Sequence, residues 1–258
     1  MTPEFTDILY HVANGVATIT INRPKRLNAM TGHTVEELSQ ALALAATDKA
    51  VGAIVLTGAG ERAFCVGGDI EWEASGGLEN MDYHLGQEIV EHPKPVIARV
   101  CGYAIGGGNH LAYFCDFTIA ADNAVFGQNG PRVGAPVGGH VVAHAASILG
   151  HKRAREMWML CRQYSARQAL EWGLVNAVVP IEQLDAEVQR WCDELLALSP
   201  TALRGLKYCF RRHMEPYFDM NISDVMNVVA PNHFHSGEQQ EGIDAFREKR
   251  KPDFSRWR

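Results

Sequence analysis

Val96-Ile-Ala-Arg-Val-Cys-Gly-Tyr-Ala-Ile-Gly-Gly-Gly-Asn-His-Leu-Ala-Tyr-Phe-Cys-Asp116 is the stretch that decides the fold. Its first half is a short apolar run rich in β-branched residues, set off by Pro93 and Pro95, and reads as a buried strand. Leu111, Ala112 and Phe114 then keep helical spacing, so the strand runs through Gly106, Gly107 and Gly108 into a helix. The first amides of such a helix have no intrahelical partner, and three positions without Cβ let a ligand approach the main chain closely. Together with the helix dipole, those amides favour negative charge on an oxygen.

A second stretch of this kind lies upstream at Ala63-Phe-Cys-Val-Gly-Gly-Asp69. Either glycine group alone reads equally well as a tight turn or as close packing of a helix on a sheet. Two of them, each after an apolar strand, predict two amides converging on one oxyanion. Such a donor is worth about 100- to 1000-fold in rate.

Outward from this centre, Ile8 to Asn22 predicts a β-hairpin that turns at Asn14-Gly15. A helix follows from Thr31 to Ala46, then a buried strand over Ala53-Ile-Val-Leu-Thr57. Gly58-Ala-Gly60-Glu-Arg-Ala63 matches a dinucleotide-binding glycine pattern. Phe64-Cys65-Val66 stands where the helix of that pattern must open, which argues against nicotinamide or flavin binding.

Residues 70–92 read as partly helical around a Gly76-Gly77 loop, and Phe117 to Ala121 as a strand. The glycine- and proline-rich segment from Gly127 to Gly139 has the composition of a loop that lines a site or a subunit contact. Further helices are expected over 141–149, 153–160, 166–171 and 181–198, with a strand over 175–179. From Pro200 the chain is amphipathic and helical, with aromatics at Tyr208, Phe210, Tyr217, Phe218, Phe234 and Phe246. That apolar surface is expected to pack on the core or on another subunit. The expected division is a core over 1–195 and a helical region over 196–258.

The chain of 258 residues carries a net charge of −6 without a long basic run, which disfavours nucleic acid as a partner. A local group such as Lys152, Arg153 and Arg155 could still hold a phosphate. The acidic N-terminus lacks signal-peptide character and no apolar stretch reaches membrane length, so a cytoplasmic protein without a membrane partner is expected. Six cysteines without Cys-x-x-Cys spacing read as reduced thiols. His140 and His144 share a helical face, but no local carboxylate completes a metal set, and no metal is expected.

Five ordered blocks carry a family resemblance. Ile21-Asn-Arg-Pro-Lys-Arg-Leu-Asn-Ala29, Ala63 to Asp69, Pro95 to Gly108, Ala169-Leu-Glu-Trp-Gly-Leu-Val-Asn176 and Glu241 to Arg250 resemble the crotonase (enoyl-CoA hydratase/isomerase) superfamily. The resemblance implies an α/β fold, a ClpP-like spiral of ββα units with a C-terminal helical trimerisation region, assembled as a homotrimer or homohexamer. It also implies a coenzyme A thioester substrate and no separate cofactor. The thioester oxygen would be bound by the amides of Gly68 and Gly107, and the nucleotide end held near Lys25, Ala29, Val66 and Ile70. Phe246 and Lys249 match C-terminal positions that reach the same ligand.

The family's two hydratase glutamates fall at His110 and near Gly130, so neither carboxylate is present. Gly106-Gly-Gly-Asn109, Phe126 to Pro131, Gly150 to Trp158, Cys161 to Tyr164 and Glu248 to Phe254 look like the branch containing dihydroxynaphthoyl-CoA synthase and 2-ketocyclohexanecarboxyl-CoA hydrolase. In that branch an aspartate is expected at Val137 and a tyrosine at Phe234, and both are replaced by apolar residues. Histidines remain nearby at His110, His140, His144, His233 and His235, and imidazole suits proton transfer near neutral pH. The leading expectation is therefore ring-opening hydrolysis of a cyclic β-ketoacyl-CoA, with His140 or His110 activating water. The alternatives are an enoyl-CoA hydratase or isomerase using His110, and a catalytically silent acyl-CoA binder.

Overall fold

The computed structural model describes residues 4–79, 84–217 and 220–257, so Phe218 and part of the stretch after Gly77 lie outside the described residues. Asn14 and Gly15 take φ angles of 50° and 81°, the left-handed values a two-residue hairpin turn requires. They fold β1 (Ile8–Ala13) onto β2 (Val16–Ile21) in antiparallel register. Thr31 caps α1 (Gly32–Thr47) through a reciprocal bond pair with Thr34, and the chain returns as β3 (Ala53–Gly58) and β4 (Ala63–Cys65). Asp69 then caps the short α2 (Ile70–Ala74), which α3 (Leu85–Glu91) follows.

The central stretch is two strands rather than one. β5 (Val96–Val100) ends at Cys101 and Gly102, and β6 (Tyr103–Ile105) continues in a different sheet. Gly102 makes the break with φ +65°, and a Cβ there would lie 2.2 Å from the Arg62 carbonyl oxygen. A run of apolar residues shows a strand but does not show which sheet it joins, so this change is not visible in the residue pattern. The expected helix follows as α4 (Gly107–Phe114).

β7 (Phe117–Ala121), β8 (Val125–Gly127), α5 (Gly139–Leu149), α6 (His151–Leu160), β9 (Gln163–Ser165), α7 (Ala166–Glu171), β10 (Ala177–Val179) and α8 (Leu184–Leu196) complete the core. Beyond it come α9 (Pro200–Arg211), α10 (Ile222–Val229) and α11 (Glu238–Arg247).

The larger sheet has the order β1-β2-β3-β5-β7-β10, parallel from β2 onward, and the smaller has the order β4-β6-β8-β9. Every residue of β3 is buried, as a parallel strand covered on both faces must be. One face of the large sheet packs on α1, α3 and α4, while Val55, Ile97 and Ile119 on the other meet Leu184, Val188 and Cys192 of α8. The C-terminal region is tied to this core by Lys207, which donates to Asp116 at 2.5 Å and to the Ile89 carbonyl at 3.2 Å. All six cysteines are free, with Cys209 alone exposed. Among the described residues no helix is long and apolar enough to cross a membrane, and no cluster of three or more metal-ligating side chains occurs.

Candidate active site

The segment between β2 and α1 builds one wall. Leu27 and Asn28 adopt left-handed φ angles of 52° and 57°, which turn the chain so that the buried Asn28 amide donates to the carbonyls of Ala59 and Ala63. Arg23 reaches across to Asp69 at 3.2 Å and Asp7 at 3.4 Å, and also donates to the Ala29 carbonyl. This clamp fixes Met30 beside the loop after β4. There the Met30 N–H donates to the Gly67 carbonyl at 2.8 Å, and the Asp69 N–H donates to the Met30 carbonyl at 2.8 Å.

These two bonds make a parallel bridge between Met30 and Gly68. In a parallel bridge the bonded groups belong to the neighbours of the central residue, so the N–H of Gly68 itself faces away from Met30. Gly107 is the first residue of α4, where an amide has no intrahelical acceptor. The two segments touch: a Cβ on Gly67 would lie 3.0 Å from the Gly107 nitrogen. Gly67 and Gly106 hold this approach with φ of +93° and +56°. The pair expected to receive an oxyanion is thus brought together, and Gly68 and Gly107 both line one cleft of about 940 Å³.

Lys25, Ala29, Val66, Ile70, His110, Val137 and Phe246 line the same cleft. Its remaining walls are largely apolar and include Met30, Val141, Val142, Trp158, Ile222 and Met226. His140, Phe234 and Lys249 are not brought to it. His140 is buried beneath Gly138, with its Nδ1 3.4 Å from the Met220 carbonyl and its ring 6.1 Å from that of Phe114. Phe234 packs edge-on against His233. Lys249 opens onto an adjoining cavity of about 790 Å³, which it shares with Phe246, Arg132 and Arg250.

His110 stacks on Trp158 at 5.2 Å, and its Nε2 lies 3.1 Å from Oε1 of Gln128. Burial against these neighbours pushes its pKa down to about 3, so the ring is neutral and a weak proton acceptor at physiological pH. His144 stacks on Phe114 and is bonded to the Tyr113 carbonyl at 3.0 Å, and burial lowers its pKa to about 4. His233 is bonded through Nε2 to the Gly134 carbonyl at 2.9 Å and pins the glycine-rich loop. His235 lies 3.4 Å from Glu79 on the surface.

One cleft residue escaped the sequence reading. Glu73 of α2 carries its carboxyl over Gly68: a Cβ on Gly68 would lie 2.0 Å from Glu73 Oε1. Burial, followed by the charge of Asp69, raises the Glu73 pKa to about 7. Helical spacing was the available signal. Asp69 caps the helix, and the fourth residue after a cap lies one turn above it.

The model of the enoyl-CoA hydratase/isomerase family matches residues 11–256, and this chain belongs to that family. Its fold is the crotonase fold. The structure is similar to that of an enoyl-CoA hydratase from Mycobacterium avium subsp. paratuberculosis K-10, with 30% identity over 98% of this chain and 100% of that one and a TM-score of 0.85. It is also similar to an enoyl-CoA hydratase/isomerase from Xanthobacter autotrophicus Py2, at 31% identity over 95% and 94% of the two chains and a TM-score of 0.83. A methylmalonyl-CoA decarboxylase in complex with 2-nitronate-propionyl-CoA matches at 27% identity over 97% and 99%, with a TM-score of 0.87. Membership makes the chain a crotonase-superfamily acyl-CoA enzyme.

Proposed function

We propose that this chain opens the ring of a cyclic β-ketoacyl-CoA by hydrolysing a carbon–carbon bond. The reading is carried by the amides of Gly68 and Gly107, which have no partner among the described residues, in a wide apolar cleft. When the bond between the ketone carbon and Cα breaks, its electrons pass to the thioester as an enolate, and two main-chain donors stabilise that charge. A cleft of about 940 Å³ walled by Val137, Val141, Val142 and Met226 has room for an alicyclic ring.

Hydration by a pair of glutamates is less well supported. Asp69 and Glu73 are the two carboxylates among the described residues that line the cleft, and Asp69 is committed to Arg23 and to the cap of α2. The position of His140 behind the wall, and the low basicity of His110, leave neither well suited to activating water. The single free carboxyl also suits a second reading, isomerisation of an enoyl-CoA, which needs one proton carrier.

In this proposal Lys25, Ala29, Val66 and Ile70 hold the coenzyme A handle, Phe246 and Lys249 close over it, and no separate cofactor takes part. A cytoplasmic homotrimer or homohexamer is proposed as well, assembled through residues 196–258. Phe210, Val228 and Val229 there are 71%, 85% and 71% exposed, and large apolar residues exposed together favour a partner surface. Light scattering should give a mass three or six times that of the chain, and a monomer would refute the assembly. For the activity, the protein is incubated with 2-ketocyclohexanecarboxyl-CoA, crotonyl-CoA and a 3-enoyl-CoA. Ring opening of the first supports the proposal. Turnover of either enoyl thioester without ring opening overturns it, and binding without turnover of any of the three identifies a silent binder.

A further inference from the structure

We infer that Glu73 is the acid–base residue of this site, carrying the proton to Cα of the thioester enolate. The inference rests on the proposed enolate chemistry and on the place of the carboxyl. Glu73 Oε1 stands over Gly68, one of the two glycines whose amides face the thioester oxygen. Cα of a thioester is one bond from the carbonyl carbon, so a carboxyl packed against a glycine of the hole is near the carbon that gains or loses the proton. No side chain or main-chain group among the described residues bonds the Glu73 carboxyl, which is half-buried and lines the cleft. Such a half-buried carboxyl without a protein partner is free to exchange a proton with water or a bound thioester, which is the pattern of a group available for chemistry.

The charges around it are arranged to leave it free. Asp69, one turn away, is paired with Arg23 at 3.2 Å. Glu71, on the same helix, is held by Arg247 of α11 at 2.6 Å. Across the cleft His110 is neutral. Arg23 and Arg247 are therefore both engaged elsewhere, and Glu73 exchanges a proton near neutral pH with a pKa of about 7.

In ring opening, Glu73 takes a proton from water as the hydroxyl oxygen bonds to the ketone carbon. The tetrahedral alkoxide collapses to a carboxylic acid, the bond to Cα breaks, and its electron pair enters the thioester as an enolate bound by the Gly68 and Gly107 amides. Glu73 then gives its proton to Cα, and the new acid loses its own proton to solvent. One water is consumed and Glu73 returns to its starting form. The same carboxyl would take a proton from Cα of a saturated thioester and return one from solvent, which separates its role from ring opening.

The test compares wild type, Glu73→Gln and Glu73→Asp on two readouts. These are opening of 2-ketocyclohexanecarboxyl-CoA, and deuterium uptake from D₂O at Cα of butyryl-CoA measured by mass spectrometry. Glu73→Gln should lower both rates by about 100- to 10,000-fold, leave KM within threefold, and remove the rise of kcat/KM through pH 7. Glu73→Asp should retain part of both. Glu73→Gln should not lower the thermal midpoint, because the half-buried carboxyl has no protein partner to lose. Near wild-type rates in Glu73→Gln, or wild type that performs neither reaction, would overturn the assignment. Glu73-dependent deuterium uptake without ring opening would uphold Glu73 and refute the ring-opening reading.

Discussion

Replacing Gly107 by proline removes one donor from the proposed oxyanion hole while leaving the fold a route to form. Gly107 is the first residue of α4, the helical position that tolerates proline best because its N–H has no intrahelical acceptor. The residue before a proline is restricted, yet Gly106 at φ 56° and ψ −123° lies in the mirror image of the extended region, which glycine adopts freely. A Cβ at 107 would meet Met30 Cε at 3.2 Å and Gly67 Cα at 3.3 Å, contacts that the flexible methionine end can relieve in part. The ring would stand where the N–H pointed. The expected cost is at least that of the donor, about 2.7 to 4 kcal/mol in the transition state or roughly 100- to 1000-fold in kcat, because the ring also crowds the oxygen's place. Gly107→Ala is the control, since it has the same Cβ but keeps the amide. The assay is steady-state turnover of whichever acyl-CoA the wild type processes, with circular dichroism to confirm folding. If folded Gly107→Pro loses no more turnover than Gly107→Ala, the amide does not stabilise the reacting oxygen.

Stability should fall as pH drops from about 6.5 toward 3. His110 and His144 are held neutral when folded, with pKa values of about 3 and about 4, so in that window the unfolded chain binds protons that the native chain does not. Urea titrations at a series of pH values read this slope, and His144→Phe, which keeps the stack on Phe114, should make it shallower. Gly102→Ala should cost about 2 to 4 kcal/mol of stability, because φ is +65° and the new Cβ would press on the Arg62 main chain at 2.2 Å. A midpoint shift in urea measures it, and an unchanged midpoint would mean that the passage between the sheets tolerates a side chain. Lys207→Met should cost about 1.5 to 3 kcal/mol, since it removes the bonds that the buried ammonium makes to Asp116 and to the Ile89 carbonyl. The double variant Lys207→Met/Asp116→Asn should recover part of that loss.

Much of the frame could be read from local pattern. The Asn14-Gly15 hairpin, the buried β3 and the helix opening on Gly107 each follow from turn chemistry or apolar spacing, and the structure has them where expected. Other features depend on contacts between distant parts of the chain. The strand expected over 175–179 forms only at Ala177–Val179, because pairing with β7 sets its length. The helix expected to start at 153 begins at His151, directly after Gly150.

At the site, the glycine amides were legible because removing a side chain leaves a mark in the sequence. The histidines were harder. His110 and His140 are equally visible as letters, but the Trp158 stack on one and the position of the other beneath Gly138 are tertiary facts. Glu73 was overlooked because an acidic residue in a short polar helix reads as solvated surface, and only the fold shows the carboxyl turned inward.

The break at Gly102 separates two tasks within one chain. Strands on the large sheet supply the mass of the core, whereas both glycines of the proposed hole follow three-residue strands of the small sheet, β4 and β6. The apolar wall proposed to face the acyl group comes from elsewhere, from α5, α10 and the loop holding Val137. A redesign that exchanged Val137, Val142 or Met226 for larger or smaller residues would thus reshape the chamber for a different acyl group without disturbing the carbonyl seat, which makes this scaffold a suitable starting point for altered thioester selectivity.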